Sequence, residues 1–242
     1  MTASIAWGAL AASSLLVGAL IGLVRAWPSR AVGAVLAFGA GALISAVSFD
    51  LAQEGVRLGG PDSVALGLAV GAMTYFVADR LLDRKTRSEV HAPVDSGGAG
   101  GGTALALGAF LDGIPEQLVL GIGLVPGQGV SIGLLAAIFV SNLPEAIGSA
   151  SAMRAAGHSA AAVVRLWAVV AVICTLATVA GFAITDTVSG DLQGVINGFA
   201  AGALLVMLID SMIPQATQDA GKVAGLLTVL GFAVAAAFSG IG

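Results

Sequence analysis

The sequence predicts an all-α membrane protein of eight transmembrane helices in one domain spanning residues 1–242, and three observations carry that prediction. Hydrophobic residues make up 57% of the chain and charged residues only 10%, with a mean hydropathy of +1.00; soluble domains are about 25% charged. Apolar windows long enough to cross a bilayer recur along the whole chain and are divided by short turn signals. The basic residues fall almost entirely in alternate loops, as expected for a chain threaded through a membrane.

The windows lie near Ile5–Val24, Ala31–Gln53, Ser63–Ala78, Thr103–Val125, Gly129–Met153, Leu166–Thr185, Leu192–Pro214 and Val223–Gly240. Their dividers are Trp27-Pro28-Ser29, Gly59-Gly60-Pro61, Pro126-Gly127, Gly157, Ser189-Gly190 and Gly221, where glycine and proline interrupt a continuing helix. No basic residue precedes the first window, and Arg25 follows it, so this window reads as a true span rather than a cleaved signal. With the amino terminus outside, Arg25, Arg30, Arg80, Arg84, Lys85, Arg87, Arg154, Arg165 and Lys222 all fall inside, and only Arg57 falls outside. Both termini are therefore expected to be extracytoplasmic. The segment 81–102, basic at first and ending in DSGGAGGG, reads as a flexible cytoplasmic connector. The 35 glycines suit close helix packing in lipid.

Several functions are excluded or disfavoured. One cysteine, Cys174, rules out an internal disulfide or a cysteine-rich metal site, and its place in an apolar run suggests packing. His91 and His158 read as solvated loop histidines. There is no HExxH, no serine-histidine arrangement and no nucleotide-binding glycine loop, so neither an enzyme nor an energised pump is expected. Nothing calls for an organic cofactor or a nucleic-acid partner.

Chemistry concentrates in two near copies, FLDGIPE at Phe110–Glu116 and FVSNLPE at Phe139–Glu145. Each puts a carboxylate and a proline inside an apolar span. An ionised side chain at the bilayer centre costs roughly 2.5–3.5 kcal/mol on insertion scales, and such residues mark ion or substrate paths. Asp112 and Glu116 are four apart, and Ser141, Asn142 and Glu145 stand three and four apart, so each set shares a helix face. Pro115 and Pro144 would free the carbonyls of Leu111 and Val140 as further oxygen donors. The two faces read as halves of one cation site. A second echo pairs FGAGALISAVSFD at Phe38–Asp50 with FAAGALLVMLID at Phe199–Asp210, which suggests a 3+2+3 inverted repeat around the central pair.

Over essentially its whole length the chain resembles the ZIP (Zrt/Irt-like protein) family of divalent-metal transporters, through these motifs in spans four and five and through FAAGALLVMLIDSMIPQA and FGAGALISAVSFDLAQE in spans seven and two. The resemblance implies movement of a divalent ion of the zinc, iron or manganese class toward the cytoplasm, through a site between helices four and five. Asp112 stands in the histidine place of the family's HNxPEG, Gly113 in the asparagine place, and Ser141 where histidine is common in the fifth span. Asn142 and Glu145 occupy matching ligand positions; Ser211 and Gln215 replace acids, and span six has none, which favours one metal over two. The expected ligands, Asp112, Glu116, Asn142 and Glu145 with Ser141, are all oxygen donors and would shift preference toward harder ions. Asp50 with Glu54 on one side and Asp210 on the other read as the way in and the way out.

The expected setting is an integral membrane protein, with the short loops suggesting a bacterial inner membrane, and a homodimer is left open. The alternative reading is a transport-inactive ZIP-like sensor or scaffold that lost its histidine ligands.

Overall fold

The computed structural model describes residues 1–25, 27–90, 113–124, 131–185 and 188–239. Among these, every regular element is helical: α1 (Thr2–Val24), α2 (Ser29–Ala46), α3 (Glu54–Val90), α4 (113–122), α5 (Ile132–Ala155), α6 (Ala160–Thr185), α7 (Gly190–Met207), α8 (Ile213–Ala220) and α9 (Val223–Ser239). π-helical segments, Val47–Gln53 and Leu208–Met212, join α2 to α3 and α7 to α8. Helices satisfy their own backbone groups, as hydrocarbon requires. Thr2–Val24, Ser29–Leu81, Ile132–Ala155, Ala160–Ile184 and Gly190–Ala220 are long and apolar enough to cross a bilayer, and Val223–Phe238 is a shorter apolar helix.

The run from Ser29 to Leu81 holds 53 residues, about 80 Å of helix against a hydrocarbon core of about 30 Å. Its direction changes at Gly60, whose φ of 79° and ψ of 167° break the helix ahead of Pro61. Before that point Gly55 lies against Asn197 and Gly59 against Gly190, so α3 and α7 run oppositely. After it, Val64 lies against Gly198 and Leu68 against Gly202, so they run together. Glycine is needed because side chains rarely tolerate this φ. Gly157 and Gly221, also expected turns, likewise have positive φ.

One boundary differs from the sequence expectation. Helix α3 continues to Val90, so the first ten residues of the expected connector 81–102 are helical. Its remainder, 91–102, lies outside the described residues, as does the part of the fourth window before Gly113, Asp112 included. The π-helical segments had no counterpart in the reading of the sequence.

Core packing divides in two. Leu36, Leu43 and Leu51 meet Leu204, Met207 and Leu208 around α2 and α7, with Val119 and Leu120 of α4 beside them. Leu15, Met153 and Trp167 fill a second cluster among α1, α5 and α6. Large apolar side chains remain exposed on α3 (Leu66, Met73), α6 (Val172, Leu176) and α9 (Leu226, Val229), as suits lipid-facing surfaces.

Close backbone approaches recur in matched pairs. A Cβ on Gly41 would collide with the Thr228 carbonyl oxygen, and one on Gly202 with that of Leu68. The same holds for Gly231 with Phe38 and Gly71 with Phe199. It holds again for Gly22 with Ile147 and Gly181 with Leu118, where Leu118 and Ile147 each stand two residues after a motif glutamate.

Candidate metal centre between the two motif helices

Helix α5 starts at Ser131, whose hydroxyl accepts from Leu134 N at 3.2 Å and so caps the first turn. The helix then carries Ser141, Asn142 and Glu145 on adjoining turns. Ser141 and Asn142 are fully buried and Glu145 is partly buried. Helix α4 brings Glu116, 1% exposed, to the same level. The Ser141 hydroxyl oxygen lies 3.0 Å from Glu116 Oε1, 3.1 Å from Oε2 and 3.0 Å from the Ile138 carbonyl. One hydroxyl proton cannot serve all three acceptors. The serine alone therefore cannot satisfy both the carboxylate and the helix carbonyl.

Asn142 makes the centre unusual. Its side chain is 0% exposed, and neither Oδ1 nor Nδ2 has a hydrogen-bond partner. Leaving a buried polar group unmatched costs about 1–3 kcal/mol, and most buried polar atoms avoid it. A Cβ at Gly113 would lie 3.8 Å from Asn142 Oδ1 and 3.2 Å from Cys174 Sγ, so both atoms border the space left beside this glycine. Cys174 is buried, free, and within electrostatic reach of both Glu116 and Glu145.

Helix α6 is held in register by a neighbouring contact. Thr178 Oγ1 donates to Gln117 Oε1 at 2.7 Å, both groups fully buried. Gln117 is four residues after Gly113 and Thr178 four after Cys174, so the two contacts are successive rungs between parallel helices. On the other side, α2 approaches so closely that a Cβ on Gly39 would lie 2.9 Å from Ser141 Cα.

The structure thus brings Glu116, Ser141 and Asn142 together and sets Glu145 within electrostatic reach of the same thiol. Among the described residues, no three His, Cys, Asp or Glu side chains form a metal-holding group; Asp112 lies outside the described residues. Asp50, half-buried on the first π-helical segment, faces Ser131 at the start of α5. Glu54 is engaged by Arg57, whose Nε donates at 2.6 Å and whose Nη2 bonds the other carboxylate oxygen. Its charge is thereby matched, which weakens it as a lure for cations. Asp210, on the second π-helical segment, is exposed. Reading the sequence missed Cys174, Gln117 and Thr178 as a set. The available signal was the four-residue spacing of Cys174 and Thr178 in an otherwise apolar span.

No family model matches the chain. It is 29% identical over 196 residues, 78% of its length, to a protein of Arabidopsis thaliana named "Putative zinc transporter". The aligned region spans 31% of that relative, so the chain corresponds to about a third of the plant protein's length.

Proposed function

We propose that this chain is a ZIP-like transporter of a divalent metal ion, of the zinc, iron or manganese class, carrying its cargo toward the cytoplasm past Glu116, Ser141, Asn142 and Glu145, with Asp112 completing the ligand set. The observation that carries this reading is the contact between Ser141 of one motif and Glu116 of the other, buried among apolar helices beside an unmatched Asn142. A fully buried amide that no protein group satisfies, next to a buried carboxylate, has little to gain from packing and much from a cation. The likeness to the plant protein named for zinc transport points the same way.

The arrangement proposed is eight crossings in a 3+2+3 inverted repeat with both termini extracytoplasmic. The direction change at Gly60 supports two crossings within Ser29–Leu81. The matched glycine contacts support the repeat: exchanging α2 with α7 and α3 with α9 turns the contact of Gly41 with Thr228 into that of Gly202 with Leu68. Exchanging α4 with α5 and α1 with α6 turns that of Gly181 with Leu118 into that of Gly22 with Ile147. In such a fold the ion is held at mid-depth while one helix group rocks against the other, alternately opening each side. Flux then follows the ion's gradient.

Uptake by proteoliposomes, with zinc, iron, manganese, cobalt and cadmium compared, tests the proposal. Flux of at least one ion is expected, with strong losses in Glu116→Ala and Glu145→Ala. Flux indifferent to both substitutions would reject the site. No flux for any ion would favour a transport-inactive sensor.

A further inference from the structure

The sequence offers the metal only oxygen donors, but the fold sets a sulfur beside them. Gly113 has no side chain, and the space next to its Cα is bordered by Cys174 Sγ at 3.2 Å and Asn142 Oδ1 at 3.8 Å from where a Cβ would stand. Cys174 is the chain's one cysteine, unpaired and 0% exposed. Asn142 is equally buried, and its amide is satisfied by no protein group. The rung between Gln117 and Thr178, one turn along, holds α6 so that the thiol faces α4.

We propose that Cys174 is a ligand to the transported ion, binding it as a thiolate together with Asn142 Oδ1 and Glu116, so that the site prefers zinc and cadmium over manganese and magnesium. This rests on reading the paired motifs as the cation site and alters the expected preference for hard ions. Thiolate is a soft donor suited to zinc and poorly suited to manganese or magnesium. An ion taking both donors would stand about 2.3 Å from the sulfur and about 2.0–2.2 Å from the oxygen, beside the glycine that both atoms border. On binding, the S–H bond breaks, its electron pair forms the sulfur–metal bond, and the proton passes to water. Gly113 is then the residue that makes room, since a larger side chain there would fill the ion's place.

The test is cadmium titration of the purified full chain, read by the ultraviolet sulfur-to-cadmium charge-transfer band, alongside proteoliposome uptake of cadmium and manganese. With one cysteine present, any such band must come from Cys174. Wild type should develop the band to saturation at one cadmium per chain. Cys174→Ser, similar in size, should abolish it and lower the cadmium-to-manganese uptake ratio by roughly tenfold or more, a loss that even outer-shell changes can produce. Glu116→Ala should weaken the cadmium dependence of the band. No band in wild type, or an uptake ratio unchanged in Cys174→Ser while Glu116→Ala still abolishes flux, would overturn the thiolate ligand and leave the oxygen site standing. Flux and band both indifferent to Glu116→Ala would overturn the underlying site and the proposal together. A Cys174→Ser protein altered only in thermal stability would assign the thiol to packing and overturn the proposal.

Discussion

The hydroxyl of Ser141 reaches both carboxylate oxygens of Glu116, 25 residues away in sequence, at 3.0 and 3.1 Å, and so ties the two motifs together. Both residues are buried at the meeting of α4 and α5, where each carboxylate oxygen not met by a donor costs solvation free energy. Ser141→Ala removes the donor while changing little volume. It is expected to lower stability by about 1–3 kcal/mol, measured by thermal unfolding in detergent, and to weaken metal uptake through a higher KM.

Helix α2 stands against α5 because Gly39 carries no side chain: a Cβ would lie 2.9 Å from Ser141 Cα, backbone against backbone. Gly39→Ala should therefore push the helices apart. A loss of about 1–3 kcal/mol is expected from overpacking, with Gly39→Val worse than Gly39→Ala. Because Ser141 is the residue displaced, uptake should fall by more than the lost stability explains. Equal stability in all three proteins would refute this placement of α2.

The bond between Thr178 and Gln117 admits a double-mutant cycle. Thr178→Val strands a buried amide oxygen beside Gln117 Nε2, which already lacks a partner, and should cost about 1–3 kcal/mol. Gln117→Leu with Thr178→Val removes both polar groups and should cost less than the two single losses combined. Strict additivity would mean that the two side chains do not meet.

Metal affinity should fall with acidification. Carboxylate and thiolate ligands must be deprotonated to bind, so the metal expels protons and protons expel the metal. Lowering the pH therefore raises the apparent Kd, and a pH-indicator dye should record proton release when cadmium or zinc is added to weakly buffered protein. Proton uptake on binding, or a Kd independent of pH, would contradict a ligand set of this kind.

The threading can be checked separately. A reporter fused after Gly242 should behave as extracytoplasmic, and one inserted in 91–102 as cytoplasmic. The reverse pattern, or both on one side, would break the eight-crossing arrangement while leaving the helix contacts untouched.

What the sequence by itself determined is local in origin. A mean hydropathy of +1.00 dictates membrane helices because unpaired backbone groups cannot enter hydrocarbon. Glycine at 60, 157 and 221 marks turns because a positive φ is open to it at little cost. The spacing of Ser141, Asn142 and Glu145 gathers oxygen donors on one side of α5 whatever its neighbours are. Only the tertiary structure decided which faces meet: that Cys174 faces Gly113, that Thr178 clasps Gln117, that Glu54 is matched by Arg57, and that Asp50 and Asp210 sit on π-helical turns. Helices apolar on every side carry no stripe to fix their rotation. Their register is set instead by where glycines let backbones touch and by the few polar contacts buried between them.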